Sequence, residues 1–263
     1  MYNLSPALAA DWRRWLEQVI VRLQAQASGR FAPVEIDVAR ESDLESFWAS
    51  DRLLLSQTCG YPLTHALADR VQLVATPVFD AEGCEGADYR SVLVVRDDDP
   101  ADTLAALRGR RAAINGEDSN SGFNVFRHVV APLAIDGRFF STVTTTRSHR
   151  ASMEAVRNDV ADIAAIDCVT YAFARDVLPD LTRGLRIIGH TVATPGLPLI
   201  TSKQMSPDAV ERLHKALDAS LDEDRALVQR LKIRSFARLS LVDYDTITRI
   251  EREAAQRGYS QLA

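Results

Sequence analysis

The densest cluster of polar residues able to hold an anion is the run Arg110–Leu133, RRAAINGEDSNSGFNVFRHVVAPL. A strand-like stretch ends at Ile114. A polar turn from Asn115 to Gly122 follows, and then a helical pattern carries Phe123, Phe126, Val129 and Val130 on one face. The first turn of a helix exposes N–H groups that have no partner within it, and the aligned peptide dipoles favour negative charge there. Ser119 and Ser121 add hydroxyl donors, Asn120 adds an amide, and Gly122 allows close backbone approach. Such a turn is a physically adequate cup for an oxyanion. Alone it reads equally as an ordinary helix cap, since Ser and Asn are favoured there anyway. It is not a Walker A loop, because no Gly-Lys-Ser/Thr follows.

Two further segments carry candidate ligand groups. In LLLSQTCGYPL, Tyr61 precedes Pro62, which holds it extended at a strand end with its phenol available as a donor; a core tyrosine is the plain alternative. In TTTRSHRASMEAVRNDVADIAAIDCVTY, His149 stands at a helix start behind its expected cap, Ser148. Asp167 follows the buried stretch DIAAI, at the strand end where open α/β sheets place ligands. A lone Asp there is often only the next helix's cap.

The elements that must position these groups alternate. Strand-like runs at 53–58, 71–79, 91–96, 111–115, 139–145, 162–166 and 185–192 are separated by amphipathic helical patterns. The helical patterns fall at 8–23, 41–50, 100–109, 122–134, 149–159, 169–177, 206–221 and 243–258. The order predicts an α/β protein with mainly parallel sheets. Chain crossings at YRSVLVVRDDDPADT and HTVATPGLPLITS predict two lobes, one from 1–95 plus 190–263 and the other from the inserted 96–189.

Composition narrows the function. Net charge is −5, with 25% charged and 46% hydrophobic residues, which argues against a general nucleic-acid surface. No apolar run approaches bilayer length, so direct membrane insertion is not expected, and the N-terminus lacks the basic start and apolar stretch of a secretory leader. Cys59, Cys84 and Cys168 fit no zinc spacing and read as inert thiols; a Cys59–Cys84 bridge is open on sequence. There is no nucleophile elbow and no metal set, so catalysis, metal and cofactor are not expected.

Together these segments resemble the phosphate/phosphite/phosphonate substrate-binding family of ABC transporters (PhnD-like), a branch of the type 2 periplasmic binding proteins. The resemblance rests on Ser56-Gln57-Thr58-Cys59-Gly60-Tyr61-Pro62-Leu63 and Tyr89-Arg90-Ser91 leading into Val92–Arg96. It continues through Asp118-Ser119-Asn120-Ser121-Gly122, Ser148-His149, and Ala161 to Asp167, and it runs from about Met1 to the helix after Pro207. It implies two α/β lobes that close over a small phosphorus oxyanion without chemistry, an ABC permease as partner, and a periplasmic location. It also implies phosphono contacts from Tyr61, Tyr89, Ser119, Asn120, Ser121, Gly122 and His149, with Asp167 meeting the rest of the ligand. Asn120 departs from the family's usual Ser or Thr. The missing leader leaves a cytosolic sensor as one alternative, and an enzyme on the same fold is the other. An acidic acceptor, Asp118 or Asp167, would favour a protonated phosphorus oxyanion over sulfate.

Overall fold

A computed structural model describes residues 2–26, 33–37 and 43–263. Met1, and Glu41 and Ser42 at the start of the predicted helix 41–50, lie outside the described residues. Along the chain run α1 (Pro6–Ala25), α2 (Leu44–Trp48), β1 (Ser56–Gln57), α3 (Gly60–Thr64) and β2 (Val71–Phe79). Then come β3 (Asp88–Tyr89), β4 (Ser91–Arg96), β5 (Arg111–Ile114), α4 (Val125–Val130), β6 (Thr142–Thr145), α5 (His149–Arg157) and β7 (Ile163–Asp167). The rest are α6 (Cys168–Val177), α7 (Pro179–Thr182), β8 (Leu185–His190), β9 (Thr194–Pro195), β10 (Leu199–Ser202), α8 (Pro207–Glu223), α9 (Arg225–Arg230), β11 (Ile233–Ala237) and α10 (Asp245–Gln256).

These elements form two compact units. One comprises Met1–Asp80 and Gly196–Leu241, the other Ala81–Pro195 and Val242–Ala263. The sequence places the divisions at other residues, and two packing facts account for the difference. β4 pairs with β7 and β8, so the whole strand belongs to the second unit. The C-terminal residues Ala254, Tyr259 and Leu262 sit in that unit's core beside Phe126 and Phe140, so the tail goes with it too.

In the first unit the sheet order is β1-β10-β2-β11, and every ladder is antiparallel. This corrects the expectation of mainly parallel sheets. Strand–helix alternation does not fix direction here, because β10 and β11 flank the long strand β2 from both sides and run against it. α1 packs on α8 through a buried stripe of Leu8, Trp12, Trp15, Val19 and Leu23 at helical spacing, and Trp15 stacks on Phe236 of β11. Ser5 caps it, accepting from Leu8 N–H, with Pro6 in the first turn. Trp15 Nε1 donates to Ser220 Oγ on α8 at 3.0 Å, and both residues are buried.

In the second unit the sheet order is β6-β5-β7-β4-β8. β5 runs parallel to β6 and β7, while β4 runs against β7 and β8. The predicted helix 100–109 is reduced to one 3₁₀ turn, Leu104–Leu107. Phe139 and Phe140 do not extend β6; their N–H groups donate instead to Ala263 O. α10 is no solvated outer layer throughout: Ile247, Ile250 and Ala254 are buried. It stops ahead of Gly258, whose φ of +74° suits a glycine. A two-stranded ribbon of β3 and β9 sets Tyr89 opposite Thr194.

Ser220→Ala strands the buried Trp15 N–H, so it should cost about 1–3 kcal/mol in a denaturant titration. A loss near zero would show that the α1–α8 bond contributes nothing.

Candidate functional site

The polar turn after β5 does start a helix, but with an unusual first turn. Asn120–Asn124 is π-helical and runs directly into α4. The wide i→i−5 step appears as Asn124 N–H to Ser119 O at 3.0 Å. Ser119 N–H turns back to Gly116 O, and Ser119 Oγ takes Gly122 N–H at 3.1 Å. Of the amides expected to face an anion, those of Ser119 and Gly122 are therefore spent inside the turn. The Ser121 and Phe123 N–H groups belong to the first turn, whose amides the start of a helix leaves without a regular intrahelical partner.

Gly122 is needed for a nearer reason than ligand approach. A Cβ there would lie 1.8 Å from Asn115 Oδ1 and 3.2 Å from His149 Cε1. The turn thus lies directly against the Asn115 side chain and the imidazole.

Four expected residues meet within the second unit. Ser121 Oγ and His149 Nε2 are 2.8 Å apart. Asn120 Nδ2 donates to Thr194 Oγ1 at 2.9 Å and to Tyr89 Oη at 3.3 Å, and Asn120 itself is fully buried. Both amide hydrogens of Asn120 are engaged in this way, so its geometry is that of a hub rather than a ligand donor. On the other side, Asn124 Nδ2 donates to Asn120 Oδ1 at 3.2 Å and to Ile247 O at 3.0 Å. Asn124 Oδ1 accepts from the buried Arg127, whose other nitrogen reaches Ser260 O at 2.6 Å. Ser91 Oγ donates to Ser121 O at 2.8 Å and fixes the turn from β4.

His149 is held at the first position of α5. Ser148 caps that helix as expected, accepting from Ala151 N–H at 3.1 Å. Arg147 just before it adopts a left-handed φ of +73°, a conformation that costs a non-glycine residue energy. Burial pushes the imidazole pKa down to about 4, and the Ala165 main chain offsets this only in part. At neutral pH the ring is uncharged, so the site offers hydrogen bonds and no cation.

Two expected residues make other contacts. Asp167 is buried and caps α6: its Oδ1 accepts from Val169 N–H at 2.7 Å and Thr170 N–H at 3.0 Å. That is the plain alternative for an aspartate at a strand end, and it spends that oxygen. Tyr61 lies in the first unit, inside the helical turn α3 rather than extended, with its ring stacked on His65 at 4.0 Å. Pro62 is accommodated there because the first turn of a helix needs no N–H from it. Asp118 is exposed.

Thr194 and Asn124 were not singled out from sequence, and Ser91 and Asn115 entered there only within a motif and a turn, with no contact assigned to them. Thr194 lies in the crossing segment HTVATPGLPLITS, where a polar residue amid β-branched and apolar ones was the available signal. The others needed the sheet register. Among the described residues no group of three or more His, Cys, Asp or Glu could hold a metal ion, and no helix is long and apolar enough to cross a membrane.

A family model described as ABC transporter, phosphonate, periplasmic substrate-binding protein matches residues 7–244. No curated protein is significantly similar in sequence. Among solved structures, a binding-protein component of an ABC phosphonate transporter (PA3383) from Pseudomonas aeruginosa superposes with a TM-score of 0.78 at 19% identity. The match covers 98% of this chain and 85% of that one. PhnD1 from Prochlorococcus marinus, in complex with methylphosphonate, gives 0.76 at 13% identity over 96% and 95%. XAC2383 from Xanthomonas citri, bound to ATP, gives 0.69 at 17% over 96% and 95%. At these identities the superpositions establish the fold.

Because the folded pKa of His149 lies below its unfolded value near 6.5, the unfolded chain binds the proton first on acidification. The stabilising contribution is full above about pH 6.5 and is lost as pH falls toward 4, by up to about 3 kcal/mol. His149→Gln should flatten that part of the stability profile. An unchanged slope between pH 6.5 and 4 would show that His149 titrates normally. Asp167→Ala, which strips the α6 cap, should cost about 1–2 kcal/mol in the same assay; no loss would show that the cap is dispensable.

Proposed function

This chain belongs to the periplasmic substrate-binding proteins of phosphonate ABC transporters, and from that premise we propose that it holds a phosphono group on the Ser121 turn. The donors are Ser121 Oγ, the Ser121 and Phe123 N–H groups and the hydroxyls of Tyr89 and Thr194, and His149 Nε2 is the acceptor. The observation that carries this reading is the Ser121–His149 contact at 2.8 Å, beside two hydroxyls that one buried amide orients. Tyr61 stays a proposed contact on the family resemblance alone. Asn120 acts behind Tyr89 and Thr194, Ser119 and Gly122 shape the turn, and Asp167 holds the start of α6.

The energetics suffice. A hydrogen bond to a charged group contributes about 1.5–3 kcal/mol net, and micromolar affinity needs about 8 kcal/mol. Four to six such bonds reach that value after some ordering cost. No arginine or lysine clamp is needed. In the tautomer that carries its proton on Nδ1, His149 Nε2 accepts a hydrogen. A monoprotonated phosphorus oxyanion supplies one and sulfate does not. This replaces the acidic acceptor expected from sequence, because Asp167 Oδ1 is committed to the α6 cap.

The family's role as a transporter's substrate-binding component supports release of the ligand unchanged to an ABC permease. Calorimetry with methylphosphonate, phosphite and phosphate should show micromolar or tighter binding of at least one, with sulfate at least about tenfold weaker. Ser121→Leu should abolish the binding while far-UV circular dichroism stays native. Sulfate binding as tightly as the phosphorus oxyanions, or Ser121→Leu binding normally, contradicts the assignment. A ³¹P spectrum unchanged after overnight incubation is expected; a new resonance would indicate turnover.

A further inference from the structure

Outside the ligand cluster, one pair of nucleophilic side chains is brought together. Cys84 Sγ and Cys168 Sγ lie 3.6 Å apart although 84 residues separate them in sequence, and both belong to the second unit. Cys84 is partly exposed in the loop before β3. Cys168 is buried at the first position of α6. None of the three cysteines is in a disulfide.

The contact depends on Gly83. Its φ is +94°, and a Cβ there would stand 3.0 Å from Cys168 Cβ and 3.2 Å from Cys168 Sγ. Only a residue without a side chain lets this loop lie directly on Cys168. A small open pocket of about 10 Å³, lined by Glu82, Val92, Tyr171 and Ile187 among others, lies beside Cys168. Closing the gap to a disulfide length of about 2.05 Å needs a shift of about 1.5 Å, within reach of a side-chain rotation and a small loop movement.

We propose that Cys84 and Cys168 are a thiol–disulfide exchange site that closes to an intramolecular disulfide. The oxidant is a small-molecule or protein disulfide. The Cys84 thiolate attacks one sulfur of the oxidant and expels a thiolate, leaving a mixed disulfide on Cys84. The Cys168 sulfur then attacks Cys84 Sγ and gives its proton to the departing second thiolate. The protein loses two electrons and two hydrogens, and the oxidant becomes two thiols. The order of attack follows exposure, and it agrees with the hydrogen bond to Cys84 and the burial that together hold Cys168 as a thiol. The closed bond would tie the loop ahead of Tyr89 to the helix that Asp167 caps. It also pairs Cys84 with a partner other than the Cys59 left open by sequence.

The test uses full-length protein, reduced and then equilibrated with excess oxidised glutathione. Thiols are next blocked with N-ethylmaleimide in native buffer, and the protein is digested without reductant for mass spectrometry. The expected product is a Cys84–Cys168 linked peptide with Cys59 alkylated, in the parent protein and equally in Cys59→Ser. The oxidised protein should melt about 5–10 °C higher than the reduced form. Cys84→Ser should show neither the link nor the gain, while Cys168→Ser should stop at a glutathione adduct on Cys84. Full alkylation of both cysteines after oxidation, a stable glutathione adduct on Cys84 in the parent protein, or a Cys59–Cys84 link would each overturn the proposal.

Discussion

The candidate site depends on one buried carboxamide. Asn120 has no solvent to bond with, so each of its hydrogens must find an oxygen within the protein. It finds Thr194 and Tyr89, which the β3–β9 ribbon places opposite one another. Its oxygen is fixed in turn by Asn124, and Asn124 by Arg127 and Ile247. The π-helical step makes this possible. It sets Asn120 at the start of the helix while Ser119 closes the turn on itself through Gly122 N–H. A polar network of this kind is rigid where its members are satisfied, and its bonds run through α4 to the C-terminal segment, with Arg127 Nε left as a buried atom without a partner.

A consequence follows for an anion. Ser121 and His149 are bonded to each other, and the imidazole carries no charge at neutral pH. If the site takes an anion as proposed, the ligand exchanges a neutral hydrogen bond for charge-assisted ones, which are roughly twice as strong. The gain comes from that difference and not from a standing positive charge. It is consistent with a chain of net charge −5 binding an anion, and with a carrier that must also let go.

Much of the fold was legible because it rests on short-range patterns. β2 and β4 occupy the same residues as their predicted runs, and α5, α6, α8 and α10 fall within two residues of theirs. The cap Ser148 bonds as its position requires. What was not legible depends on partners distant in sequence. Strand direction in the first unit follows from β10 and β11 flanking β2. The division of the chain follows from β4 pairing with β7. The predicted cluster of Ser121, Asn120, Tyr89 and His149 does assemble within one unit. Thr194, which completes it, was hidden because a threonine beside a proline in an extended segment looks like any other. The same holds for Asp167: sequence alone allowed both ligand contact and helix cap, and only the two hydrogen bonds to Val169 and Thr170 distinguish them.

The most direct measurement is a crystal structure of the protein grown with methylphosphonate. The account predicts the phosphono oxygens within about 3 Å of Ser121 Oγ and the Ser121 and Phe123 amides, with Asn120 still bonded to Tyr89 and Thr194. Ligand density elsewhere, with the Ser121–His149 bond intact and the turn untouched, would contradict it.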